Sequence, residues 1–108
     1  MKNTLTGLAL AWTCLAAQVT QMAHAADTAQ VRSLAASCAA CHGTQGSAQT
    51  GMPSLAGQPR EALQGKMAAY KSGALPATLM HQIAKGYTDE QIAQLAAWFS
   101  ALKLQGQP

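Results

Sequence analysis

Apolar residues recur along this chain at helical spacing. Val31, Leu34, Ala35 and Cys38 fall at i, i+3, i+4 and i+7, one face of a helix, and predict a first helix from about Thr28 to Ala40. A second stripe, Leu63, Met67 and Tyr70, follows Pro59, whose missing N–H is not needed in a first helical turn. Gly73 is its natural stop. A short third segment runs from about Ala77 to Lys85 and closes at Gly86. The last helix has the clearest signature. Thr88 with Gln91 three residues on makes a capping box, and Ile92, Leu95, Ala96, Phe99 and Leu102 form one face with Trp98 on its flank. Gly and Pro gather between Gly43 and Pro59 and predict a turn-rich loop. Strand-like alternation does not persist anywhere and no internal repeat is visible, so the expected architecture is all-α with a long loop after the first helix.

A different pattern precedes these elements. Lys2 leads into an apolar run from Leu5 through Ala17, broken by Thr6, Gly7 and Thr13, and then into Ala23-His24-Ala25, the small-x-small pattern that a signal peptidase cuts. This predicts a cleaved signal peptide over residues 1–25, a mature domain over 26–108 and a periplasmic location. A membrane anchor is the competing reading, but the run is well short of the roughly 20 residues a bilayer-spanning helix needs. A lipid-modified Cys14 is the third, and bulky Trp12 with Thr13 before it suits a lipoprotein cleavage site poorly.

Size and composition sharpen the picture. The 108 residues suffice for one small domain, and a domain this small buries a modest share of its surface, so a disulfide, metal or cofactor usually completes it. One Phe, two Trp and two Tyr are all the aromatic residues present. An aromatic-poor, Ala-rich core suits a bulky flat ligand. After loss of Lys2 the cations Arg32, Arg60, Lys66, Lys71, Lys85 and Lys103 stand against Asp27, Glu61, Asp89 and Glu90, and none of them cluster. That dispersal argues against a nucleic-acid partner.

The chemistry lies in Cys38-Ala39-Ala40-Cys41-His42, the C-x-x-C-H signature of covalent haem c attachment. Two thiols three residues apart at a helix end can reach the two vinyl groups on one edge of a porphyrin, and the adjoining His42 then offers an imidazole nitrogen to the iron. A redox dithiol normally accompanies a βαβ pattern, which is absent. A closed zinc site needs four ligands, and His81 lies too far along the chain from His42 for the usual short His spacing. A structural disulfide suits an oxidising compartment but gives His42 no role. Haem c, one per chain through Cys38 and Cys41, is therefore the expected cofactor.

The candidates for a second axial ligand are Met52, Met67, Met80 and His81. Met67 belongs to the apolar stripe and reads as packing. Met52 precedes Pro53 in a turn-rich loop that the proline restricts. Met80 and His81 are adjacent, so on a helix they point about 100° apart and cannot both face one iron. Met80 shares a face with Ile83 and Ala84, whereas His81 shares one with Lys85 and reads as a solvated residue. Met80 is the favoured ligand.

Four segments carry a family resemblance: Cys38-Ala39-Ala40-Cys41-His42-Gly43; Met52-Pro53-Ser54-Leu55-Ala56-Gly57-Gln58; Tyr70-Lys71-Ser72-Gly73-Ala74; and Met80 followed by Ile83-Ala84-Lys85-Gly86-Tyr87-Thr88-Asp89-Glu90. Together they resemble class I cytochromes c, and among these the cytochrome subunit of the flavocytochrome c sulfide dehydrogenases and related small periplasmic cytochromes. The early position of the motif fits that class, since four-helix-bundle cytochromes tend to carry it near the end. The resemblance implies a small all-α fold of three to five helices wrapped around one covalent haem. It implies His42 and Met80 as the metal ligands, and Pro53 as the loop proline whose carbonyl accepts a hydrogen bond from the ligand histidine. It also implies that the first and last helices cross near Ala35 and Phe99 or Trp98.

With both axial positions filled, the expected function is electron transfer with iron cycling between Fe(III) and Fe(II). The chain is then a carrier, not an enzyme, and its partner a redox protein such as a sulfide-oxidising flavoprotein. Some sulfide dehydrogenases carry two haem domains in this subunit where this chain has one motif, which makes a free shuttle between respiratory complexes the alternative. A peroxidase-like haem enzyme with an open sixth site is the competing class. No stable membrane anchor is expected.

Overall fold

The computed structural model describes residues 27–106. The inferred signal peptide, its cleavage site and Cys14 lie outside them. The predicted first helix divides in two. Residues 27–36 form α1, a turn intervenes at Ser37 and Cys38, and α2 restarts over Ala39–His42. The break is a local one: the Cys38 amide bonds back to the Ala35 carbonyl at 3.1 Å, one residue short of α-helical spacing, and the Ser37 hydroxyl takes the Leu34 carbonyl at 2.8 Å. Side-chain bonds of this kind compete with the helical ladder.

Helix α3 spans Arg60–Ser72 and ends at Gly73 with φ 80°, a left-handed stop that a glycine adopts without a Cβ penalty. The predicted segment from Ala77 to Lys85 contracts to a single turn, α4 over Met80–Ile83, continued by a 3-10 turn at Ala84–Gly86. Helix α5 covers Asp89–Ala101 with both halves of its capping box in place: the Gln91 amide donates to Thr88 Oγ1 at 3.1 Å, and the Thr88 amide to Gln91 Oε1 at 2.9 Å. Asp89 and Glu90 sit in its first turn, where negative charge is favoured by the helix dipole. Among the described residues there is no strand, and no helix is long and apolar enough to cross a membrane.

The described residues from Val31 onward form one compact unit, and residues 27–30 before it are exposed. The core of the larger unit joins Ala35 of α1, Leu63 of α3, and Leu95, Ala96 and Phe99 of α5. Trp98, Leu102, Leu34 and Leu55 pack partly buried against it. The stripe inferred for α5 is thus its buried face, and Ala35 and Phe99 share one cluster.

Candidate cofactor site

The loop after α2 begins with two glycines that no other residue replaces without strain. Gly43 turns the chain at φ 78°, and a Cβ there would lie 2.0 Å from the Ser47 carbonyl oxygen. Gly46, at φ 75°, lies so close to α5 that a Cβ would meet the Phe99 ring at 2.8 Å. The Gly46 carbonyl then accepts from the amides of Leu55 at 2.8 Å and Ala56 at 3.1 Å, and Ala48 donates to the Ser54 hydroxyl at 2.9 Å. These bonds fold the loop back on itself and return Pro53 to the end of α2.

There the His42 ring, 8% exposed, places Nδ1 2.7 Å from the Pro53 carbonyl oxygen. A carbonyl can only accept, so Nδ1 carries the proton and the lone pair resides on Nε2. This is the arrangement by which a second partner orients a metal-binding histidine and raises its basicity.

A cavity of about 400 Å³ opens beside this ring, within the roughly 300–1,000 Å³ of sites that enclose small molecules and cofactors. Its walls bring together Cys38, Cys41, His42, Pro53 and Met80 from α2, the loop and α4, with Cys38 at its turn before α2. The α3 stripe of Leu63, Met67 and Tyr70 faces the same space, as do Ile92, Leu95 and Phe99 of α5. Met52 also lines it and is 42% exposed. The lining is predominantly apolar, with Lys66 its charged member. Burial pushes the Cys38 thiol up from its ordinary range, while the adjoining Ser37 side chain acts the other way. Cys41 is exposed.

His81 does not line the cavity. It is half-buried rather than solvated, and its Nδ1 is enclosed with no hydrogen-bond partner among the described residues. The ring thus points elsewhere than its neighbour Met80, as a one-residue step along a helix requires. Sequence reasoning missed the roles of Tyr87 and Ser37. The Tyr87 side chain lines the cavity and its hydroxyl meets Ser37 Oγ at 2.9 Å. Fifty positions separate the two, and nothing local in either segment signals the pairing.

The cavity fits a flat, largely apolar group held by two thiols and an imidazole. Its lining is apolar but for a few polar residues, His42 among them, and three methionines, Met52, Met67 and Met80, stand in its walls.

Comparison with known proteins agrees with this geometry. The cytochrome c family matches residues 28–103. The chain is 39% identical over 69 residues to the cytochrome subunit of sulfide dehydrogenase from Chlorobaculum tepidum, covering 64% of this chain and 63% of that protein. It is 38% identical over 76 residues to the thiosulfate dehydrogenase electron acceptor of Thiomonas intermedia, covering 68% of this chain and 35% of that one. Cytochrome c-554(548) of Halomonas halodenitrificans is 37% identical over 81 residues, covering 71% of this chain and 98% of the relative. The chain therefore spans less than two thirds of the first two relatives and nearly all of the third. The family match runs through the Cys38–His42 motif, the loop and every helix that frames the cavity, and on these grounds the chain belongs to the cytochrome c family, electron carriers that bind haem c covalently.

Proposed function

We propose that the chain is a secreted, periplasmic electron carrier in which Cys38 and Cys41 form the thioethers to one haem c and His42 and Met80 bind its iron. The observation that carries this reading is the convergence on one apolar cavity of the C-x-x-C-H motif and Met80, with His42 already held through Nδ1. The haem supplies a one-electron Fe(III)/Fe(II) couple.

The chain's own residues tune and protect that couple. Pro53 fixes the His42 ring and its tautomer. Met80, a soft thioether, favours the reduced metal and raises the potential relative to a second histidine. The apolar walls from α3 and α5 disfavour additional positive charge. With His42 and Met80 both holding the iron, no position would be left for substrate, which separates this reading from a peroxidase-like enzyme. Electron exchange then occurs through contact with a redox partner, of the small, weak kind that permits turnover.

Two partner readings have separate support. Similarity to a sulfide dehydrogenase cytochrome subunit favours a sulfide-oxidising flavoprotein as electron donor. The alignment that takes in 98% of cytochrome c-554(548), at 37% identity, fits a free-standing single domain and so favours a free shuttle between respiratory complexes. Gel filtration with a sulfide-oxidising flavoprotein distinguishes them: co-elution supports the subunit, and electron transfer without co-elution supports the shuttle.

The first test is the visible spectrum of the oxidised protein, produced in a periplasm with a haem-attachment system. The c-type haem bands together with the weak far-red charge-transfer band of an Fe(III)–thioether bond are expected. Haem bands without the far-red band remove Met80 from the site and bring ligand binding and peroxidase chemistry forward. A colourless product overturns the haem reading altogether.

A further inference from the structure

Met80 sits on a segment that leaves α3 at Gly73 and rejoins the helical frame at Thr88. Its only α-helical element is the four-residue α4, and one isolated turn is far too short to hold itself in water. Leu79 and Ile83 beside Met80 are 56% and 39% exposed, while Ala84 is wholly buried. The position of Met80 therefore depends on how this short turn packs against α3 and on how the ends of the segment are fastened.

Both ends meet at Lys71. This residue lies in the last turn of α3, two positions before the segment departs. Its ammonium donates to the backbone carbonyl of Tyr87 at 2.9 Å and to Asp89 Oδ1 at 2.7 Å, the residues flanking the cap of α5. One side chain thus spans the neck of the loop. Tyr87 is held at its other end as well. The Ser37 hydroxyl gives its proton to the Leu34 carbonyl, so the Tyr87 hydroxyl must donate to Ser37 Oγ, beside Cys38.

We propose that Lys71 is a positioning residue for Met80: by closing the neck of the Met80-bearing segment it sets how readily Met80 leaves the iron. The inference rests on the reading of Met80 as the axial ligand. The two bonds of Lys71 are unequal. Asp89 is 94% exposed on its side chain, and an ion pair in that setting contributes little. The Tyr87 carbonyl is partly buried, and a charge-assisted bond to such a group is the stronger one. The latch is chiefly the Lys71–Tyr87 bond, with Asp89 as an accessory.

Imidazole binding to the ferric haem protein reads the population in which Met80 has left. Losing a charge-assisted hydrogen bond shifts an equilibrium by about tenfold, so Lys71→Met should bind imidazole about tenfold more tightly than the parent. Asp89→Asn should remain within about twofold of it, as a solvated pair requires. Lys71→Gln, which keeps a polar surface but not the charge, is the second variant should Lys71→Met accumulate poorly. Titrations are run well below the melting temperature of each variant. A lower melting temperature with unchanged imidazole affinity means that Lys71 only stabilises the fold, and overturns the proposal. An Asp89→Asn effect as large as that of Lys71→Met overturns the assignment to the Tyr87 carbonyl. If the parent protein lacks the far-red thioether band, the Met80 reading and the latch fall together; if it has the band and Lys71→Met matches its affinity, the latch falls alone.

Discussion

His42 and Pro53 are joined by a hydrogen bond of 2.7 Å from imidazole Nδ1 to the backbone carbonyl, across eleven positions of sequence. The bond exists because a glycine stands where α5 comes closest. Gly46 packs against the Phe99 ring, its carbonyl gathers the Leu55 and Ala56 amides, and Pro53 is delivered to the end of α2. The orientation of the His42 ring, the proposed metal ligand, is therefore decided by the packing of a loop on a helix near the other end of the chain.

Replacing the proline tests that link. Pro53→Ala frees φ at this position and lets the carbonyl drift from Nδ1. The bond lends negative character to the imidazole and so favours the oxidised metal. Weakening it should raise the reduction potential. A loss of ~0.5–1 kcal/mol corresponds to about 20–40 mV for one electron at 59 mV per factor of ten. Redox titration of the variant against the parent decides it, and an unchanged or lowered potential removes Pro53 from the tuning of the site.

Met80→Ala should keep the c-type haem bands, lose the far-red thioether band, lower the reduction potential and bind exogenous imidazole without competition. Met52→Ala and Met67→Ala should keep the far-red band, although both side chains line the cavity. His81→Ala should also keep it, because this ring does not reach the cavity. Loss of the band in any of these three, with retention in Met80→Ala, reassigns the ligand.

Much of the fold was legible because local rules and tertiary packing agree. The capping box of Thr88 and Gln91, the stop at Gly73 and the α5 stripe from Ile92 to Phe99 are short-range signals that the packed structure keeps. The Cys38–His42 motif and the α3 stripe were legible for the same reason. The division of the first helix was not, because apolar periodicity continues through Cys38 while the backbone is turned by Ser37. The contraction of the Met80 segment to one turn was not either, since its ends are fixed by Lys71 and Tyr87 contacts formed across 16 to 50 positions. His81 looked like a surface residue from its company with Lys85, and only tertiary burial places its Nδ1 out of water.

Two glycines should respond oppositely to alanine. Gly46→Ala combines a left-handed backbone with a Cβ 2.8 Å from Phe99, and a destabilisation of about 2–4 kcal/mol is expected from strain and overpacking together. Gly65 lies in the exposed interior of α3 with nothing within 4 Å of an added methyl. Gly65→Ala should stabilise by about 0.5–1 kcal/mol through reduced backbone entropy, raising Tm by roughly 2–8 °C for a domain of this size. Thermal melts of the haem-loaded variants check both signs.

The cavity also bears on how the chain folds. Leu63, Leu95, Ala96 and Phe99 belong at once to the buried core and to the cavity wall, so a cofactor placed there is packed against the core itself. Removing it leaves an empty apolar cavity against both long helices, and a domain this small has little other apolar surface with which to compensate. Binding free energy then becomes folding free energy, as in other small cofactor-dependent domains. Cys38→Ser/Cys41→Ser, which abolishes both thioethers, should therefore lose most of its helical circular dichroism and its cooperative melt, whereas Met80→Ala, which keeps the attachment, should retain both. Native-like helix content with a cooperative transition in the double serine variant would show that α3 and α5 pack without the cofactor.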